Sequence, residues 1–213
     1  METKYQVTPI FPLPVYTNKV PESIINDYSS FLDNEELMSK PPSTSLRYGG
    51  TSQNTYLLDN PQYKDLNDYI VQHATNYAEN HLNINYEEYK LSQSWISIKY
   101  PGEEHTAHIH THSLISGVLF YGDFNDKTSH ISFSRDDEYS KSIKTHIAGS
   151  NFNKFSYLSY DFPFKSNLLI LFPSFLPHSV SKNITNTPRK SLAFNIVPKN
   201  GFGVEENLNY LKL

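Results

Sequence analysis

From Ser92 onward the apolar residues tend to recur at every second position, and no dozen-residue stretch of helical periodicity interrupts them. Parallel strands need such crossovers between them, whereas antiparallel strands need only short turns. The segments 92–100, 106–112, 114–121, 129–134, 142–147, 155–160, 167–172, 178–182 and 190–197 read as short, aromatic-rich strands. Turns such as Pro101–Gly102 and 122–126 separate them. This pattern predicts a mostly β chain: a double-stranded β-helix, or jelly-roll barrel, with N-terminal supporting helices.

The residues before Ser92 read differently. Segment 11–20 alternates and carries Pro12 and Pro14, which suits an edge strand because proline removes a ladder donor. Pro21 opens a short amphipathic helix with Ile24, Ile25, Tyr28 and Phe31 on one side. A second helix follows Asp59–Asn60, with Pro61 near its first turn. Leu66, Ile70, His73, Tyr77 and His81 form one face of it. The polar stretches 38–58 and 122–128 are candidate lids, and 201–213 reads as a peripheral tail. No repeat or domain-sized change in composition divides the chain. The expectation is a single domain over 1–213, with 1–91 as support and 92–200 as the β core.

Composition narrows the chemistry. The 18 basic and 22 acidic residues give a formal charge of -4, and no Lys/Arg cluster offers the surface that phosphate neutralisation needs. Nucleic acid is therefore not an expected partner. The chain has no cysteine, which excludes disulfides and thiolate ligands, so a bound metal must be held by His, Asp or Glu. The longest apolar run, 168–172, is too short to span a bilayer. The start, METKYQVTPI, lacks a basic segment followed by a long apolar core, so a cytoplasmic protein is expected. Oligomeric state is not legible.

The most suggestive residues are histidines. In the run from Tyr100 to His112 there are four, at 105, 108, 110 and 112. If 108–112 is extended, His108, His110 and His112 share one face, and two imidazoles two positions apart can reach one ion. A third ligand must come from elsewhere, and His178, just after the apolar strand 168–172, is the candidate. Three neutral imidazoles suit Fe, Zn, Ni or Cu, with an open position left for chemistry. His105 and His112 are candidate contacts to substrate or to the ligands, while His73, His81, His130 and His146 read as surface or packing residues. Farther on, alternation puts Arg189 and Ser191 on one face, where a guanidinium and a hydroxyl could grip a small carboxylate. On spacing alone, Arg189 reads equally as a solvated residue in the turn after Pro188.

Taken together these segments resemble the iron(II)/2-oxoglutarate-dependent oxygenase superfamily, in its prolyl-hydroxylase-like branch and among its families with a His-x-His motif. The resemblance runs from Trp95 to Asn195. It rests on Trp95–Gly102 before the first ligand, His110–Val118 around the ligand strand, Leu171–His178 before the distal ligand, and Arg189-x-Ser191. It implies Fe(II) on His108, His110 and His178, and 2-oxoglutarate as cosubstrate with its distal carboxylate on Arg189 and Ser191. Tyr100 would line that pocket. The implied reaction is hydroxylation of an unidentified substrate with succinate and carbon dioxide as coproducts. That substrate could be a protein side chain, an amino acid, a nucleobase or another metabolite. His110 stands where most members carry aspartate, and Asn167 where relatives often have glycine, a residue type that also tolerates a left-handed turn.

Two rival readings stay open. Gly102, five intervening residues and then His108-x-His110 fit the first half of a cupin pattern, but Leu114 and Ile115 stand where its glutamate is expected. A non-enzymatic binding or structural protein could keep the same framework.

Overall fold

The computed structural model describes residues 8, 12–38, 50–122, 129–135, 137–144, 146 and 155–213. The chain begins with β1 (Tyr16–Lys19) and α1 (Glu22–Asp33), followed after two short 3-10 turns by α2 (Lys64–Tyr77). Then come β2 (Tyr89–Lys99), β3 (His105–His108), β4 (Ile115–Phe120), β5 (His130–Ser134) and α3 (Glu138–Lys144). The remainder is β6 (Ser159–Pro163), β7 (Leu168–Pro173), β8 (His178–Val180), β9 (Arg189–Pro198) and a small hairpin of β10 (Gly201–Phe202) and β11 (Leu211–Lys212).

The fold is mixed α/β with antiparallel sheets, and it corrects the expectation of a jelly-roll barrel. A five-stranded sheet runs β1-β7-β4-β9-β2 and a four-stranded sheet runs β3-β8-β5-β6. β1 and β2 are the outermost strands of the first, β3 and β6 of the second, and among the described residues no sheet closes on itself. Alternating patterns identify strands but leave strand partners unspecified: β2 lies beside β9, about a hundred residues later. Two local expectations also change. Residues 138–144 form α3 where a strand over 142–147 was expected, and 201–213 carries a hairpin. The candidate lids at 39–49 and 123–128 lie outside the described residues. Thr51 and Tyr56, from the described part of the first, make single bridges to Ser97 and Ser94 of β2.

The central strands β4 and β7 are buried along almost their whole length because both faces of the large sheet are covered. One face packs Ile96, Leu119, Leu192 and Phe194 under Leu66, Ile70, Ala74 and Tyr77 of α2. The opposite face sends Val118, Phe120, Ile170 and Phe172 against Ile131 and Phe133 of the smaller sheet. The 3-10 turn Pro61–Tyr63 that leads into α2 starts where the sequence indicates: Asn60 Oδ1 accepts the Gln62 backbone N–H at 3.1 Å, with Pro61 at its first position. β1 is an edge strand, antiparallel to β7, just after Pro12 and Pro14. Asn167 adopts φ of 62° in the turn leading into β7, the left-handed geometry an asparagine accepts.

Candidate metal centre

β3 pairs with β8, and His108 lies directly opposite His178 in that register. The strand ends there, and His110 is held by its backbone N–H donating to the Ser174 carbonyl at 3.0 Å. One ring nitrogen from each of His108, His110 and His178 falls within 4.8 Å of the others. The extended run to His112 does not form. His112 has φ of 61° and is not in the cluster.

Each imidazole is oriented by an acceptor. His108 Nδ1–H donates to the Thr106 carbonyl at 2.9 Å, and His178 Nδ1–H to the Leu176 carbonyl at 3.0 Å. His110 Nδ1–H donates to Asn195 Oδ1 at 2.5 Å. Because an oxygen acceptor requires the proton on Nδ1, each neutral ring keeps its lone pair on Nε2. The Nε2 atoms of His108 and His110 are 3.3 Å apart, so two lone pairs face each other with no proton between them. Burial and the neighbouring His108 and His110 push the His178 imidazole down to about 3, and burial lowers His110 despite its bond to Asn195. Three neutral, fixed nitrogens with converging lone pairs are a donor set for a divalent transition ion, and the outer hydrogen bonds are those that orient imidazole ligands.

Asn195 is itself held. Ser116 Oγ donates to Asn195 Oδ1 at 2.9 Å and lies 2.8 Å from Ser174 Oγ, which donates to Ser113 Oγ at 3.0 Å. Ser116 and Ser174 are fully buried, so this serine chain braces His110 from inside the large sheet.

The histidines sit at one end of a cleft between the two sheets, with β2 and β9 as one wall. Alternation turns Trp95, Ser97 and Lys99 of β2 and Arg189, Ser191 and Ala193 of β9 into the cleft. Arg189 Nη1 donates to Ser129 Oγ at 2.9 Å, Nη2 to the Ser181 carbonyl, and the guanidinium lies over Phe164 at 4.9 Å. Ser191 lines the cleft while its hydroxyl donates to the Ser97 carbonyl at 3.3 Å. Tyr100 has the opposite parity and is not on the wall. The inward residue there is Lys99, which the alternation from Trp95 would have identified. His105 stacks on His108 at 4.2 Å, and burial with the adjacent His108 pushes it down to about 3. A wider groove of about 870 Å³ beside α2 holds Asp59, Asp68 and His112 but, among the described residues, no convergent donor set.

Residues 93–195, just under half of the chain, match the model of a family described as "Putative 2OG-Fe(II) oxygenase". None of the curated proteins matches the sequence. Among solved structures, the non-heme alpha ketoglutarate dependent epimerase SnoN from nogalamycin biosynthesis is similar at a TM-score of 0.62 and 9% identity, over 88% of this chain and 80% of that one. HygX from Streptomyces hygroscopicus, with nickel and 2-oxoglutarate bound, gives 0.60 at 11% identity, over 87% and 83%. A Pseudomonas putida prolyl-4-hydroxylase gives 0.57 at 12% identity, over 86% and 92%. At these identities the structures speak to fold. The chain matches the 2OG-Fe(II) oxygenase superfamily through its family model, its fold and its three-histidine cluster. Among the described residues no helix is long and apolar enough to cross a membrane.

Proposed function

We propose that the chain acts as one unit over residues 1–213, an Fe(II)- and 2-oxoglutarate-dependent dioxygenase that hydroxylates a substrate with succinate and carbon dioxide as coproducts. The observation that carries this reading is the convergence of His108, His110 and His178, each with Nδ1 committed to an oxygen acceptor. These three would hold the ion. When bound, the ion and the 2-oxo acid supply the oxidising chemistry.

The chain's own residues supply position and environment. Asn195 and the carbonyls of Thr106 and Leu176 keep Nε2 aimed inward. Arg189, fixed by Ser129 and Ser181, offers its guanidinium to the distal carboxylate of the cosubstrate, with Ser191 beside it. Val118, Phe120, Ile131 and Phe172 give the cleft an apolar wall that excludes water. The described cleft encloses about 60 Å³, room for roughly two waters, so uptake of a five-carbon acid requires side chains at its wall to move.

Anaerobic titration with Fe(II) and 2-oxoglutarate tests the reading. A visible metal-to-ligand charge-transfer band should appear, and Arg189→Ala should weaken cosubstrate binding. Metal uptake with no response to 2-oxoglutarate would instead support a cupin-like or purely binding role. Absence of metal uptake under anaerobic conditions would remove both.

A further inference from the structure

Lys99 is a lysine whose environment calls for an anion. It is 4% exposed, and no hydrogen bond or salt bridge engages its ammonium among the described residues. It faces the cleft directly opposite Arg189 in the β2–β9 register, so two cations share one wall. Among the described residues the cleft lining contains no aspartate or glutamate. The carboxylate acting on Lys99 is that of Glu103, outside the cleft, whose Oε2 accepts the Tyr100 backbone N–H at 3.0 Å. Burial pushes the Lys99 ammonium down, Glu103 pulls it back up, and Arg189 pushes it down again. A buried cation beside a second cation is costly unless an anion lies between them.

We propose that Lys99 and Arg189 together form the seat for the distal carboxylate of the cosubstrate, making Lys99 a specificity-determining residue that selects a 2-oxo diacid over a 2-oxo monoacid. The inference rests on the dioxygenase reading and adds a residue to it. The charge balance of the site gives it weight. A centre with one carboxylate ligand and a single cationic anchor is near neutral with a divalent ion and a doubly charged acid bound. Here His110 withholds one negative charge and Lys99 adds one positive charge, so the cleft favours an anion more strongly. The backbone of Lys99 is held in place, since Asn183 Nδ2 donates to the Lys99 carbonyl at 2.8 Å.

The test compares 2-oxoglutarate with 2-oxopentanoate, which has the same chain length but ends in a methyl group. Calorimetric titration of the Ni(II)-loaded protein reads both affinities without turnover. The wild type should prefer the diacid, and Lys99→Met should reduce that preference by about 30-fold or more, the range for removing one partner of a buried charge pair. Binding of 2-oxopentanoate should stay within a few-fold, and Lys99→Arg should recover most of the preference. Ni(II) affinity and a melting temperature both at or above wild type would show that the Lys99→Met protein is intact. A Lys99→Met protein that keeps the wild-type preference overturns the assignment of Lys99 and leaves the dioxygenase reading standing. A wild type that takes up Ni(II) and binds neither acid overturns that reading, and this one with it.

Discussion

Replacing Asn195 with alanine separates bracing from bulk. Asn195 Oδ1 accepts from both His110 Nδ1 and Ser116 Oγ. Ser116 has a second partner in Ser174 Oγ, so its hydroxyl can turn and remain bonded. Among the described residues His110 Nδ1–H has Asn195 Oδ1 as its hydrogen-bond acceptor and no second one, and leaving a buried donor unbonded costs about 1–3 kcal/mol. The metal-free protein should lose that amount in urea denaturation. The ring also becomes free to rotate, so its Nε2 is no longer held toward His108 and His178. Loss of an orienting partner of a ligating histidine costs roughly 10–100-fold in metal affinity, or about 1.4–2.7 kcal/mol. Competition of Zn(II) or Ni(II) against a chromophoric chelator measures this directly. Asn195→Asp supplies an acceptor at the same place and should restore metal affinity to the wild-type level or above it. Metal affinity unchanged in Asn195→Ala, with stability lowered, would refute the bracing argument and leave Asn195 as a packing residue.

Gly117 and the imidazoles give two further expectations. A Cβ at Gly117 would lie 2.3 Å from Phe194 Cε2 and 2.7 Å from Leu171 Cδ2, so Gly117→Ala should destabilise by about 1–3 kcal/mol through overpacking, read in urea denaturation. A wild-type midpoint would show that the sheet relaxes around the methyl group. For the metal-free protein, stability should fall with acid. The His178 imidazole is held at about 3 in the folded state, mainly by burial, while in the unfolded chain it titrates near 6.5. The unfolded state therefore binds more protons between these values, so stability is level above about pH 7 and declines as pH falls from about 6.5 toward 3. Denaturation at pH 7.5, 5.5 and 4.5 measures the slope. Equal stability at all three would count against the buried, neutral state of this ring.

Much of the site was readable because it follows strand parity. His178 was indicated by its place after the apolar strand that became β7, and Arg189 and Ser191 by alternation along β9. His108 and His110 do converge, although through a strand end and a held loop and not through one continuous strand. Lys99 lines the cleft and Tyr100, one position away, does not, because in a strand one position changes the face entirely. Asn195 and its serine chain were out of reach. Ser113, Ser116, Ser174 and Asn195 meet only because β4 lies between β7 and β9, a pairing that no local pattern encodes. The barrel expectation failed for a related reason: most strands are legible in the alternation, although 142–144 belongs to α3 and not to a strand, but whether the outer strands meet is decided by contacts distant in sequence.

β3 is four residues long, lies at the edge of its sheet, and joins β8 with an irregular register between His105 and His108. Strand ends of this kind are where fraying begins. Yet this strand and the loop just beyond it carry two of the three converging imidazoles, while the third lies on the neighbouring strand. An ion held there would act as a clasp on the least secured margin of the smaller sheet. Occupancy would then govern how often that margin opens, and slowed amide exchange across 105–110 would report the clasp closing.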